Sequence, residues 1–128
     1  MNYFLSKTTD YSFDQAIEKI GDALKQEGFG ILTEIDMKQT LKSKLDVDIK
    51  KYKILGACNP GFAYQALKAE EKIGILLPCN VCVIEQAGGK TEVAIMDPVV
   101  AMSVVDNPGM APMAGEVREK LVRALGNL

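Results

Sequence analysis

Residues 73–96 read Ile73-Gly-Ile-Leu-Leu-Pro-Cys-Asn-Val-Cys-Val-Ile-Glu-Gln-Ala-Gly-Gly-Lys-Thr-Glu-Val-Ala-Ile-Met96, and this stretch decides the fold. The apolar, β-branched run from Ile73 to Gln86 predicts a long strand. Gly88-Gly89 supplies a turn, and Thr91–Met96 returns as a second strand, so the pair reads as a hairpin. Pro78 lacks a backbone donor and marks an edge, a bulge or a break in pairing near Cys79 and Asn80.

Upstream, Tyr3–Thr8 predicts a short strand. Ser12 with Gln15 three residues on makes a capping box, followed by Phe13, Ala16, Ile17, Ile20, Ala23 and Leu24 at helical spacing, with Gly28 suited to end the helix. Gly30–Ile35 is a strand, with Ile31, Thr33 and Ile35 expected on one face and Leu32 and Glu34 on the other. Asp36 caps a short helix carrying Met37, Leu41 and Leu45. Tyr52–Cys58 is a third strand, and Asn59-Pro60 starts a helix carrying Phe62, Ala63, Ala66 and Leu67. After Asp97-Pro98 the segment around Asn107 is irregular, and a last helix is expected from about Ala114 to Gly126. The order is β-α-β-(short α)-β-(short α)-β-β-α. The simplest arrangement is an α+β domain spanning residues 1–128, with an antiparallel or mixed sheet, two long helices on one face, and short helices besides.

The chain has 128 residues, 48% hydrophobic and 25% charged, enough to build its own core. With 15 basic and 17 acidic residues the net charge is −2, so no basic field draws in nucleic acid. No histidine is present. That removes Ser-His and Cys-His nucleophile pairs and histidine-bound zinc or haem. Three cysteines, an odd number, argue against a disulfide framework and for reduced thiols. The first residues lack the pattern of a signal peptide, and no stretch reaches the roughly 18 apolar residues of a membrane span. The expectation is a cytoplasmic protein with no membrane partner.

Four groups of residues could carry chemistry. Cys58 ends a strand just before a helix start, where free amides favour an anion or a reactive thiol; the alternative is a small buried apolar residue. Asn80 beside Pro78 needs partners if buried. Cys79-Asn-Val-Cys82 spells a Cys-x-x-Cys, but on a strand positions three apart point to opposite faces, so neither a redox motif nor a metal site is expected. Glu34 and Glu92 could share a sheet face, though surface carboxylates and caps explain such acids better. Met96, Met102, Met110 and Met113 suit copper(I) chemically, and pliable core filler is the commoner use. No cofactor is expected.

Taken in order, Glu27-Gly-Phe-Gly30, Thr33-Glu-Ile-Asp36, Tyr52-Lys-Ile-Leu-Gly-Ala-Cys-Asn-Pro60, Ala63-Tyr64, Leu76-Leu-Pro-Cys-Asn80 and Asp97-Pro98 give the chain a specific look. It resembles the family catalogued as domain of unknown function 302 over nearly its whole length. Cys82 lies outside the resembling pattern. The resemblance implies a β-α-β4-α, TATA-binding-protein-like fold and a homodimer, brings Cys58 and Cys79 into one frame, and implies no established activity. The leading expectation is therefore a small domain that binds a small molecule or anion at a pocket formed by Cys58, Asn59, Cys79 and Asn80. The alternatives are a thiol-dependent enzyme of sulfur or redox chemistry and a dimeric interaction module.

Overall fold

The computed structural model describes residues 2–128. Five strands form one wholly antiparallel sheet: β1 (Phe4–Thr9), β2 (Gly30–Asp36), β3 (Tyr52–Cys58), β4 (Cys79–Glu85) and β5 (Thr91–Met96), in the order β1-β5-β4-β3-β2. The β4–β5 hairpin forms as expected. Gly88 and Gly89 both take φ near +74°, a region closed to most side chains, which is what turns the chain.

The helices are α1 (Phe13–Gln26), α2 (Met37–Leu45), α3 (Pro60–Ala69), α4 (Pro98–Met102) and α5 (Met110–Gly126). The capping box of α1 is complete, with the Gln15 amide donating to Ser12 Oγ at 3.2 Å and the Ser12 amide to Gln15 Oε1 at 3.1 Å. Its buried stripe of Ala16, Ile20, Ala23 and Leu24 packs beside Leu121, Ala124 and Leu125 of α5. Both lie against Leu55, Ala57, Val81, Val83, Val93 and Ile95, which share one sheet face. The two long helices therefore cover one side of the sheet. The other side carries Ile54, Cys82, Ile84, Ala94 and Met96, all half-buried.

Three expectations are corrected. The strand predicted from Ile73 begins only at Cys79; Glu71–Leu76 is a 3₁₀ helix, and Leu77-Pro78 is a cis peptide. The tighter path buries Ile73 to 1% exposure in a second cluster with Ala66, Met102, Met110 and Ala114. The last helix starts at Met110, four residues early: Asn107 Oδ1 accepts from the Gly109 amide at 3.0 Å, and Pro112 sits in the first turn, where a missing amide hydrogen costs no helical bond. Asp97-Pro98 does end the sheet, and it also starts α4, since Asp97 Oδ1 accepts from the Val99 amide at 3.0 Å. Among the described residues, no helix is long and apolar enough to cross a membrane.

Candidate functional site

A cavity of about 300 Å3 opens between the two clusters. The ends of β3 and β4 supply Ala57, Cys58 and Cys79, and the start of α3 supplies Asn59, Phe62 and Ala63. Met102 of α4, with Met110, Met113 and Val117 of α5, closes the opposite side. Leu32 reaches it from β2, where pairing with β3 shifts register between Ile31 and Thr33 and interrupts the expected alternation. None of the lining side chains is charged, and Asn59 is the one amide among them. A polar depression of about 650 Å3 between β2 and α2 is larger, but it is open; of its charged lining groups, Lys53 is paired with Glu34 at 2.6 Å and Asp36 caps α2, accepting from the Gln39 amide at 3.0 Å.

The start of α3 is less available to an anion than the sequence implied. Of the helix's first amides, Pro60 has no hydrogen, Phe62 donates to Asn59 Oδ1 at 3.5 Å, and Ala63 donates to the Asn59 carbonyl at 2.9 Å. Only the Gly61 amide is left. Asn59 Nδ2 donates to the Glu27 carbonyl at 3.3 Å, tying the end of α1 to the start of α3. Asn59 thus borders the cavity with both polar atoms already engaged, so it positions the wall.

Cys58 and Cys79 border the same cavity and both are free thiols. Cys58 is half-buried. Cys79 is buried, and burial, reinforced by the charge of a nearby Cys58 thiolate, pushes its thiol from 9.0 up to about 11. Cys82 points away: Cys79, Val81 and Val83 face the helices, while Cys82 lies on the outer face and accepts from the Tyr52 hydroxyl at 3.4 Å. That bond, with some burial, raises the Tyr52 phenol to about 12. The Cys-x-x-Cys spacing brings no thiols together. Among the described residues, no group of three or more histidines, cysteines or carboxylates is placed to hold a metal ion.

Asn80 does not join the cavity. It pairs with Gly56 across β4 and β3 and is exposed on the outer face, one step out of phase with Cys79. Glu34 and Glu92 also separate: Glu34 lies opposite Leu55 on the helix-covered face, Glu92 opposite Ile84 on the outer one. Asp97 is structural, capping α4 and accepting from Arg118 Nε at 3.1 Å. Three of the four methionines singled out in the sequence line the cavity, while Met96 pairs with Phe4 on the outer face. Their convergence depends on α4 and on the early start of α5, two features the sequence reading did not contain.

Comparison with known proteins agrees with the motif pattern. The family model described as "Domain of unknown function DUF302" matches residues 5–128. The fold is similar to the crystal structure of the uncharacterized conserved protein DUF302 from Bacillus stearothermophilus, with a TM-score of 0.91 and 25% identity over 99% of this chain and 98% of that one. No curated protein matches the chain.

Proposed function

The chain belongs to the DUF302 family of domains of unknown function, so we infer its role from its own cavity: it binds a small, uncharged, mostly apolar molecule there. One observation carries this reading, namely that the cavity is lined by apolar and sulfur-bearing side chains and one amide, without a charge among them. Sites for small ligands are concave and mostly apolar, and about 300 Å3 stands at their lower end. An anion would lose its hydration for a single free amide, which narrows the earlier expectation of a molecule or anion to an uncharged molecule. Titration with 1-aminoanthracene, a neutral fluorophore, tests this. Wild-type protein should give saturable, one-to-one enhancement. Ala63→Phe, which fills the cavity from α3, should weaken it about tenfold or more. An unsaturable signal, or one indifferent to Ala63→Phe, refutes the reading.

The outer sheet face supports a second role beside the first. Ile54, Ile84, Ala94 and Met96 present an apolar surface on the side away from α1 and α5. We read it as the contact surface of the homodimer that the family resemblance implies. Sedimentation equilibrium should show a dimer in wild type and a monomer in Ile84→Glu. A monomeric wild type, or an unaffected variant, removes this role.

A further inference from the structure

The first turns of α5 border two spaces at once. At about 100° per residue along a helix, Met110 and Ala114 form one stripe, Met113 and Val117 flank it on one side, and Ala111 flanks it on the other. Met113 and Val117 line the uncharged cavity, whereas Ala111 lines a second depression of about 480 Å3. The short helix α4 repeats the division, with Pro98 on the cavity and Val99 on the depression. Met102, Met110 and Ala114 line both.

Ala114 contributes only a methyl group, so the bulk of this shared wall comes from the Met102 and Met110 side chains, 8% and 3% exposed. Methionine is unbranched, turns about three bonds and adapts to what packs against it. We propose that the cavity and the depression form one elongated binding site across this methionine wall, and that it takes a linear aliphatic chain ending in an uncharged hydrogen-bond donor, such as a long-chain primary alcohol. The proposal rests on the binding reading above and adds the shape and chemical class of the ligand to it.

The direction of the chain follows from where polar groups are placed. In the cavity, both polar atoms of Asn59 are engaged. The depression is lined by three polar residues, Ser103, Asp106 and Asn107. Ser103 Oγ donates to the Val100 carbonyl at 2.6 Å, Asn107 Nδ2 donates to the Ala69 carbonyl at 2.9 Å, and Asn107 Oδ1 accepts from the Gly109 amide at 3.0 Å. Asp106 is the one charged residue of the lining, and it is exposed. An ionised carboxylate only accepts hydrogen bonds. A hydroxyl therefore finds an acceptor beside Asp106, while a fatty-acid carboxylate meets like charge there and no cation in the cavity. The aliphatic tail runs inward past Met102 and Met110.

The test is displacement of 1-aminoanthracene from the full chain by primary alcohols from hexan-1-ol to dodecan-1-ol, each below its solubility limit. Affinity should rise about threefold per added methylene through to dodecan-1-ol. Ala111→Phe and Val99→Trp fill the depression from α5 and from α4, at exposed positions that do not line the cavity. Both should bind hexan-1-ol as wild type does and lose the rise among the longer alcohols, with circular dichroism confirming that each is folded. Dodecanoate should bind about tenfold more weakly than dodecan-1-ol, and Asp106→Asn should narrow that gap. A wild-type affinity that stops rising by octan-1-ol, or a rise that both variants keep in full, overturns the shared site. A gap unmoved by Asp106→Asn overturns the placement of the polar end. Where 1-aminoanthracene still binds saturably in those samples, the elongated site falls and the binding reading stands; loss of that signal in wild type removes both.

Discussion

Gly28 and Asn59 touch at the seam between α1 and α3: a Cβ on Gly28 would stand 3.2 Å from Asn59 Nδ2. Gly28 also has φ +85°, a conformation that L side chains rarely adopt. Strain and crowding act together, so Gly28→Ala should cost about 1–3 kcal/mol in urea unfolding. Asn59→Ala should cost about 1 kcal/mol through the lost cap. Asn59→Asp keeps the cap acceptor but sets a second acceptor against the Glu27 carbonyl, so it should recover only part of that loss. A neutral Gly28→Ala would show that the seam yields freely.

Gly56 is the second position where no side chain fits. A Cβ there would overlap Thr33 Oγ1 and stand 2.7 Å from Pro78 Cγ. The hydroxyl can rotate away; the proline ring has little room to move. Gly56→Ala should therefore destabilise by about 1–3 kcal/mol, with Thr33→Ala restoring only part of it in a double-mutant cycle. Full restoration would mean that Pro78 does not confine this site.

Alkali should weaken the fold through Cys79. Its folded pKa, about 11, lies above the ordinary 9.0. Below pH 9 the thiol is protonated in both states and stability does not depend on it. Between pH 9 and 11 the unfolded chain releases the proton while the folded one holds it, so stability falls as pH rises. The loss should reach on the order of 2–3 kcal/mol. Tyr52, raised to about 12, adds a loss of the same sign from pH 10 upward. Chemical denaturation of wild type and Cys79→Ala at pH 8 and pH 10.5 should show a smaller drop in the variant. Equal drops would contradict the burial of Cys79.

Labelling should rank the motif thiols. Iodoacetamide at neutral pH, followed by peptide mapping, should modify Cys58 faster than Cys79, because Cys79 is 7% exposed and holds its proton to about 11. In urea the two rates should converge. Faster labelling of Cys79 in the folded chain would reverse the order in which the cavity presents its sulfurs.

The parts of the fold legible in the sequence were those set by local chemistry. Ser12 and Gln15 announced α1, Asn59-Pro60 announced α3, and Gly88-Gly89 announced the hairpin. Asp97-Pro98 carries the same cap-and-proline signature as Asn59-Pro60, so α4 was available to the same argument. The 3₁₀ turn was not, because an apolar run such as Ile73-Gly-Ile-Leu-Leu serves a strand and a tight helix equally well. The site divided along the same line. Cys58, Asn59 and Cys79 were found at a strand end, a cap and the residue after a proline. Asn80 falls outside the cavity because one residue of phase in β4 decides its face, and a break expected somewhere near Pro78 does not fix that phase. The methionine wall needed two helices to be placed in space first.

The helix α5 belongs to both clusters: Met110 and Ala114 pack in the smaller one, Leu121, Ala124 and Leu125 in the larger. The cavity meets α5 along its first half, at Met110, Met113, Ala114 and Val117. One helix therefore divides its labour along its length, its second half anchoring the sheet while its first half shapes a binding wall. Replacements at Met102, Met110 or Met113 could retune what fits the cavity while leaving the sheet's own packing in place. For an engineer, that makes the first turns of α5 the natural place to randomise.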